Sequence, residues 1–243
     1  MPMTDPHLSD FTARMRHRRH RARGRGRRPL LAALALLVVV AFLAWVIRFS
    51  SAFDVTAVEV RGTKLVTAAQ VRARAGVSIG VPLAGVDTGQ VARRVAGLTA
   101  VSHAEVSRQW PHTVVVTVTE RTPVYQRAVA GRYQWVDSQG VIFHETSSPS
   151  SRLPLVTTAG VDNLLLADVA TVVTSMPAAL LDQVGSIDAA TRDDIVLTLK
   201  DGRRRIVWGS ADSSVLKSQV ALALLHVRAS VYDVSSPANP STR

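Results

Sequence analysis

Histidines and carboxylates are the side chains that would carry chemistry in this chain of 243 residues, and their spacing does not favour a catalyst. No two histidines have the HExxH spacing of a zinc site, and no GxSxG nucleophile motif occurs. The chain has no cysteine, which excludes a thiol nucleophile, a disulfide framework and a Cys-based zinc site. The histidines beyond residue 100 stand alone; they are His103, His112, His144 and His226.

Two further patterns could suggest a site, and both are weak. Glu120 and Arg121 are adjacent at the end of a predicted strand, so their side chains point to opposite faces of a sheet. Gly76 and Gly80 interrupt a loop, but the Lys-Ser or Lys-Thr that completes a phosphate-binding loop does not follow them. The sequence therefore predicts a protein that is not an enzyme, with no catalytic, metal or cofactor site.

A late strand pattern is the candidate binding site. Its residues are Val231, Tyr232, Asp233, Val234 and Ser235, a run without lysine that ends before Pro237. An edge strand exposes unpaired N–H and C=O groups, to which a partner chain can add a strand. An ordinary interior or protected strand is the alternative that these residues leave open.

The residues from Leu30 to Ile47 include no charged or strongly polar side chain. As a helix they would extend about 27 Å, close to the hydrocarbon thickness of a bilayer. The sequence therefore predicts a transmembrane helix over residues 30–48. A cleaved signal peptide is the alternative, but its apolar core is usually shorter, about 7–15 residues.

The tail before this helix is strongly basic. Residues 1–28 contain nine arginines and two aspartates, and the arginines nearest the helix are Arg23, Arg25, Arg27 and Arg28. Positive residues beside a spanning helix stay in the cytoplasm, so residues 49–243 are predicted to lie outside. The tail is predicted to be disordered and to set topology. Nucleic-acid binding is the alternative, but no aromatic stacking residue lies within the arginine cluster.

The chain beyond the membrane is predicted to be α+β. Alternating strand patterns cover residues 54–61, 101–108 and 113–120. Helices are predicted after Thr67 and Asp87, each in an N-cap position. The segment Gln109–His112 turns between the last two strands, and Trp110 within it is predicted to cover the core. The resulting order is strand, helix, helix, strand, strand.

This order resembles a POTRA domain, and short motifs match the FtsQ/DivIB family of bacterial cell-division proteins. They are Val58-x-Val60-x-Gly62, Gly80-x-Pro82-Leu83, Val86-Asp87, Arg108-x-Trp110-Pro111 and Glu120-Arg121-x-Pro123-Val124. Val136-Asp137-x-x-Gly140 resembles a family signature that follows the POTRA domain. The order and spacing of these motifs, behind one spanning helix and a basic tail, carry the resemblance.

The second half is predicted to be a mixed, β-rich domain. Hairpins are expected at Ser138–Gly140 and at Asp201-Gly202, and residues 162–183 are helical in pattern with a break at Pro177. A helix capped by Ser213 or Ser214 precedes the last strand. The expected segments are a cytoplasmic tail at 1–29, a membrane helix at 30–48, a POTRA domain at 53–121, a β domain at 122–236 and a mobile tail at 237–243.

The resemblance implies a non-enzymatic scaffold of the division machinery, held in the cell membrane and enriched at the septum. It implies that Val231–Ser235 captures coiled-coil partners of the FtsB/DivIC and FtsL kinds, and so regulates septal peptidoglycan synthesis by the cell-wall synthase complex. Arg108, Trp110 and Pro111 are then a candidate recruitment surface. The alternative is a POTRA-containing chaperone or secretion component for exported polypeptides, although such proteins usually carry several POTRA repeats. No nucleic-acid partner and no cofactor is expected.

Overall fold

The computed structural model describes residues 27–49, 51–158 and 160–243. The predicted disordered tail before Arg27, with Arg23 and Arg25, lies outside the described residues. Within them, the chain divides into two compact units. One consists of the residues up to Glu59 with Val77–Thr88 and Ser107–Val115, and the other of Val60–Gly76, Gly89–Val106 and Val116–Arg243. The domain boundaries 53–121 and 122–236 stay predictions.

Helix α1, Arg27–Phe49, contains the predicted membrane span. Its window Pro29–Val46 has a mean hydropathy of 2.7 and none of its residues is buried, as expected for side chains that meet lipid. Within the described part of the chain, it is the one helix long and apolar enough to cross a membrane. The helix begins three residues before the predicted span, so Arg27 and Arg28 lie in its first turn.

The elements that follow appear in the predicted order. They are β1 (Ala57–Arg61), α2 (Ala68–Ala75), α3 (Thr88–Ala96), β2 (Val101–Gln109) and β3 (Thr113–Glu120). The strands form a small sheet in the order β1-β3-β2. Helix α2 begins where predicted, because Thr67 accepts the N–H of Gln70 and the Gln70 side chain accepts the N–H of Thr67. It ends at Gly76, whose φ of 59° is left-handed.

The remaining strands form one large sheet with helices packed on it. The strands are β4 (Tyr125–Val129), β5 (Arg132–Val136), β6 (Ile142–Thr146), β7 (Leu155–Thr158), β8 (Val184–Thr191), β9 (Asp194–Leu199), β10 (Arg205–Gly209), β11 (Val231–Asp233) and β12 (Ser241–Thr242). Their order is β12-β11-β10-β9-β8-β7-β4-β5-β6. The pairs β4–β7, β7–β8 and β10–β11 are parallel, and the others are antiparallel. The mixed α/β fold with a β-rich second part is therefore confirmed.

Helices α4 (Asn163–Ser175), α5 (Ala178–Leu181) and α6 (Ser214–Leu224) cover the core of this sheet. Pro177 separates α4 from α5, as predicted. Helix α4 packs on α6 and on β8, and it contributes buried residues such as Leu166 and Val169. Trp208 on β10 is fully buried, and its indole N–H donates to the Ser214 hydroxyl at 3.0 Å. The sheet end at β10 and β11 is therefore anchored by the same core as α6.

Candidate functional site

The predicted edge strand is not at the edge of the large sheet. Strand β11 pairs in parallel with β10, where Tyr232 lies opposite Ile206. On its other side it pairs antiparallel with β12, where Tyr232 lies opposite Thr242 and Asp233 opposite Ser241. Val231–Ser235 is therefore not the open edge that was predicted, whereas its role in partner binding and the mobility of residues 237–243 stay predictions. The tail turns back and its backbone pairs the outward N–H and C=O groups of β11.

The inner flank of β11 is firmly held. The N–H of Arg205 donates to the carbonyl of Ser230 at 2.9 Å, and the N–H of Val234 donates to the carbonyl of Val207 at 3.0 Å. Tyr232 and Val234 are fully buried, and the Tyr232 hydroxyl donates to the carbonyl of Val227 at 2.9 Å. A proline at Val234 would therefore break pairing inside the sheet rather than pairing to a partner.

The outer flank of β11 is held by a short contact. The N–H of Val231 donates to the carbonyl of Arg243 at 2.8 Å, and the N–H of Arg243 donates to the carbonyl of Val231 at 3.0 Å. The N–H and the hydroxyl of Ser230 also donate to the carbonyl of Arg243. The side chains of Ser241 and Thr242 are exposed, so β12 adds no core packing. Among the described contacts, backbone hydrogen bonds therefore hold this segment in place. We call residues 237–243 the C-terminal strap.

The charges around β11 are mainly basic. Arg203, Arg205 and Arg243 are exposed. The carboxylate of Asp201 and the hydroxyl of Tyr232 raise the pKa of Arg204 above its ordinary value, so this side chain stays charged. Asp233 is already engaged, because its carboxylate accepts the N–H of Ser235 at 3.0 Å and the Ser235 hydroxyl at 2.6 Å.

The opposite end of the large sheet is strand β6, which sequence reasoning did not single out. Within the described residues β6 pairs with β5 alone, and this pairing shifts register between Trp135 and Val136. His144 on β6 packs against Trp135 with ring centroids 4.7 Å apart, and Glu145 forms an ion pair with Arg132. The sequence signal that could have identified this edge is the Ser/Pro loop that follows the hairpin.

The candidate recruitment surface lies on the turn between β2 and β3 and on the end of β2. Trp110 is 49% exposed, so the prediction that it covers the core is wrong. The reason is its position in the turn beyond the strands, where Phe53 packs its ring edgewise with centroids 5.7 Å apart. Pro111 and Arg108 are exposed as well, and a guanidinium N–H of Arg108 donates to the carbonyl of Val86 at 2.7 Å. The structure therefore brings these three residues together at the surface.

Glu120 and Arg121 bind different partners, as their strand positions predict. The Glu120 carboxylate accepts the N–H groups of residues 64–66 at 2.7–3.0 Å. Burial raises the pKa of Glu120, but these N–H groups together lower it by more. The pKa of Glu120 therefore lies below its ordinary value of 4.5. Arg121 donates to the carbonyl of Thr99 at 3.0 Å and forms an ion pair with Asp137. Both residues are engaged in structural contacts.

Asp137 and Gly140 explain the Val136-Asp137-x-x-Gly140 pattern. The Asp137 carboxylate accepts the N–H groups of Gln139 and Val141, each at 2.9 Å, and so closes the turn between β5 and β6. Gly140 has a left-handed φ of 77° and packs against the backbone of the first turns of α4. This pattern is therefore accounted for by a turn and its close approach to a helix.

The histidines are dispersed in the structure. His112 contacts the carbonyl of Asp54 through Nδ1 at 3.2 Å, and His103 is exposed on β2. Among residues 27–49, 51–158 and 160–243, no group of three or more His, Asp or Glu side chains could hold a metal ion.

Comparison with known proteins gives two family matches along the chain. Residues 53–121 match the model described as "POTRA domain, FtsQ-type". Residues 125–234 match the model described as "Cell division protein FtsQ/DivIB, C-terminal". The two matched segments follow one another and include the small sheet, the large sheet through β11, and the helices between them.

Curated relatives match over most of the chain. A cell division protein FtsQ from Streptomyces collinus is 34% identical over 233 residues, covering 88% of this chain and 88% of the relative. One from Mycobacterium bovis is 35% identical over 229 residues, covering 91% of this chain and 71% of the relative. A solved structure of the major extracytoplasmic domain of the cell division protein DivIB from Geobacillus stearothermophilus is 18% identical. It covers 45% of this chain and 98% of that domain, with a TM-score of 0.34.

Proposed function

Because this chain belongs to the FtsQ/DivIB family of cell-division proteins, we propose that it acts as a scaffold without catalytic activity in the septal machinery. Helix α1 would hold it in the membrane with its N-terminus in the cytoplasm and the POTRA and β domains outside. Residues Val231–Ser235 would capture coiled-coil partners of the FtsB/DivIC and FtsL kinds. The captured partners would in turn regulate the septal cell-wall synthase complex.

The observation that carries this proposal is that β11 already accepts an antiparallel strand on its outer flank. Strand β12 occupies that flank through Thr242 and Ser241, opposite Tyr232 and Asp233. The geometry of the flank therefore suits strand addition, the mode in which backbone hydrogen bonds give affinity. Its inner flank is fixed to β10 by the buried Tyr232 and Val234, so β11 is a rigid template.

Capture at this flank requires the C-terminal strap to leave. The strap holds β11 through the backbone of Ser241, Thr242 and Arg243 and contributes exposed side chains, so an incoming strand that repeats these hydrogen bonds and adds side-chain packing would displace it. The exposed Arg203 and Arg205, which remain beside β11 when the strap leaves, favour acidic side chains on that strand. The partner strand would therefore be extended, antiparallel to β11 and acidic near Val231.

A reversible disulfide tests this proposal, because the chain has no native cysteine. Asp233 and Ser241 lie opposite each other, and such pairs have Cα atoms about 4.5–5.5 Å apart, within the range that a disulfide bridges. The Asp233→Cys/Ser241→Cys chain is prepared in detergent, oxidised to hold the strap in place, and mixed with the FtsB/DivIC-like and FtsL-like proteins of the same cell. The reduced form of the same variant is the matched control.

The proposal predicts co-purification of the partners with the reduced variant and loss of it in the oxidised variant. A chain that lacks residues 237–243 should bind at least as tightly as the wild type. Equal binding by the oxidised and reduced forms would place capture away from β11, with β6 as the next edge to test. In cells, depletion should give undivided filaments or branched cells, and normal septation would contradict the scaffold role.

Recruitment to midcell is the role we propose for Arg108, Trp110 and Pro111. These residues are exposed together on the β2–β3 turn and the end of β2. An Arg108→Glu variant should reach the membrane normally but show weaker septal enrichment of a fluorescent fusion. An unchanged septal signal would remove Arg108 from the recruitment surface.

A further inference from the structure

The compact unit that contains α1 exposes apolar side chains beside the exit of that helix. Ile79 is 61% exposed and Trp110 is 49% exposed, and Phe53 packs on the Trp110 ring. The residues up to Glu59, Val77–Thr88 and Ser107–Val115 all belong to this unit. The loop tip that carries Ile79 and the loop tip that carries Trp110 therefore belong to the same compact unit as the membrane helix.

Backbone hydrogen bonds fix both loop tips to the segment that leaves the helix. The N–H of Val55 donates to the carbonyl of Val81 at 2.8 Å, and the N–H of Gly80 donates to the carbonyl of Val55 at 2.9 Å. On the other side, the N–H of Thr56 donates to the carbonyl of His112 at 2.9 Å. Ile79 and Trp110 therefore lie on loops pinned to either side of one short segment.

This segment begins close to the membrane. Helix α1 ends at Phe49, three residues after Val46, the last residue of the apolar window. At a helical rise of about 1.5 Å per residue, the end of α1 lies roughly 5 Å beyond the hydrocarbon edge, inside a headgroup layer about 5–8 Å thick. The 3₁₀ turn Leu83–Gly85, from the loop that follows Ile79, also lies against α1.

From these contacts we propose that Phe53, Ile79, Trp110 and Pro111 form an interfacial cluster that rests in the lipid headgroup layer. Trp is enriched at this depth because its ring is apolar and its N–H is polar. An exposed isoleucine at the tip of a loop gains free energy when its apolar surface leaves water for this layer. The cluster orients the unit on the membrane surface, so that α1 is not its sole attachment. This inference does not depend on strand capture at β11, and it is an alternative to the midcell-recruitment role proposed for Trp110 and Pro111.

Tryptophan quenching by brominated lipid tests the position of Trp110. The full chain with Trp45→Phe is placed in bilayer discs of lipid brominated near the headgroup, which removes the tryptophan of α1 from the signal. Trp110 is then one of three remaining tryptophans, so a loss of up to roughly one third of the emission is expected. The loss should disappear in Trp45→Phe/Trp110→Phe and persist in Trp45→Phe/Trp135→Phe. Equal emission with and without bromine in the Trp45→Phe chain would overturn the proposal.

A single dye on a cysteine tests Ile79 in the same discs. The absence of native cysteine allows Ile79→Cys and, as a matched control, Val215→Cys, which is 63% exposed on α6. An environment-sensitive dye should emit at shorter wavelength at position 79 than at position 215. Emission at the wavelength seen in water at position 79, or the same shift at both positions, would overturn the proposal.

Discussion

Gly140 is expected to tolerate no side chain, and Gly131 provides the control that isolates the reason. Both have a φ of 77°, so an alanine at either position takes on the cost of a left-handed backbone, about 1–2 kcal/mol. A Cβ at Gly131 meets nothing within 4 Å. A Cβ at Gly140 would lie 2.6 Å from the backbone nitrogen of Ala167 and 2.7 Å from the carbonyl oxygen of Asn163.

The contacting atoms at Gly140 are backbone atoms of α4, so the clash is relieved only if the helix or the turn moves. Forced overpacking of this kind costs about 1–3 kcal/mol. The loss of unfolded-state freedom is the same for both glycines and cancels in the comparison. Gly140→Ala should therefore be less stable than Gly131→Ala by about 1–3 kcal/mol.

Urea unfolding of the full chain in detergent, followed by tryptophan fluorescence, measures this difference. Trp135 and Trp208 lie in the large sheet and report its unfolding. At an unchanged slope, the shift in midpoint converts to a free energy. Equal midpoints for the two alanine variants would refute the reasoning, because they would show that the turn at Gly140 is free to move away from α4.

Three further substitutions have expected effects on the free energy of unfolding, measured with the same urea assay. Glu120→Gln weakens the acceptor of the N–H groups of residues 64–66 and should cost about 1–2 kcal/mol at neutral pH. Because the folded pKa of Glu120 is lowered, its contribution is present above pH 4.5 and is lost as the pH falls through the lowered pKa. The variant should lack this acid dependence, and an identical pH profile for wild type and variant would contradict the assignment. Arg127→Met should raise the free energy of unfolding by about 1–2 kcal/mol, because Arg127 is 4% exposed and its Nε and one Nη have no hydrogen-bond partner. A lower free energy of unfolding would instead indicate a partner for this guanidinium. Tyr125→Phe should cost about 1 kcal/mol, because the fully buried hydroxyl donates to the carbonyl of Leu166 at 3.0 Å; an unchanged midpoint would show that this hydrogen bond adds no net stability.

Local signals predicted the elements whose ends are set by nearby residues. The Thr67 cap, the break at Pro177 and the hairpin at Asp201-Gly202 are confirmed. In that hairpin Gly202 has a φ of 69°, and the Asp201 carboxylate accepts the N–H groups of Arg203 and Arg204. Each of these contacts lies within a few residues along the chain, so the sequence contains all that is needed to predict it.

The sequence patterns did not predict strands whose position depends on partners far away along the chain. Strand β4 carries Gln126 and Arg127, which are polar yet buried, so it lacks the alternation by which strands are recognised. Strand β8 includes Gly185 and Asp188 and is held between β7 and β9. Strand β12 consists of Ser241 and Thr242, and no hydrophobic pattern in these residues predicts their pairing with β11. The late strand was therefore predicted from its own residues, of which Val231–Asp233 form β11, while its pairing depended on a contact that local patterns do not encode.

The central claim is that a partner strand replaces the strap on the outer flank of β11, and amide hydrogen exchange tests it most directly. Exchange is followed for the full chain in detergent, alone and with its coiled-coil partners. We expect residues 241–243 to exchange faster in the complex, because Arg243 loses its bond to Val231, while the amide of Val231 becomes more protected. An unchanged strap, with new protection along Ile142–Thr146 of β6, would contradict the claim and move the binding site to the other edge of the sheet.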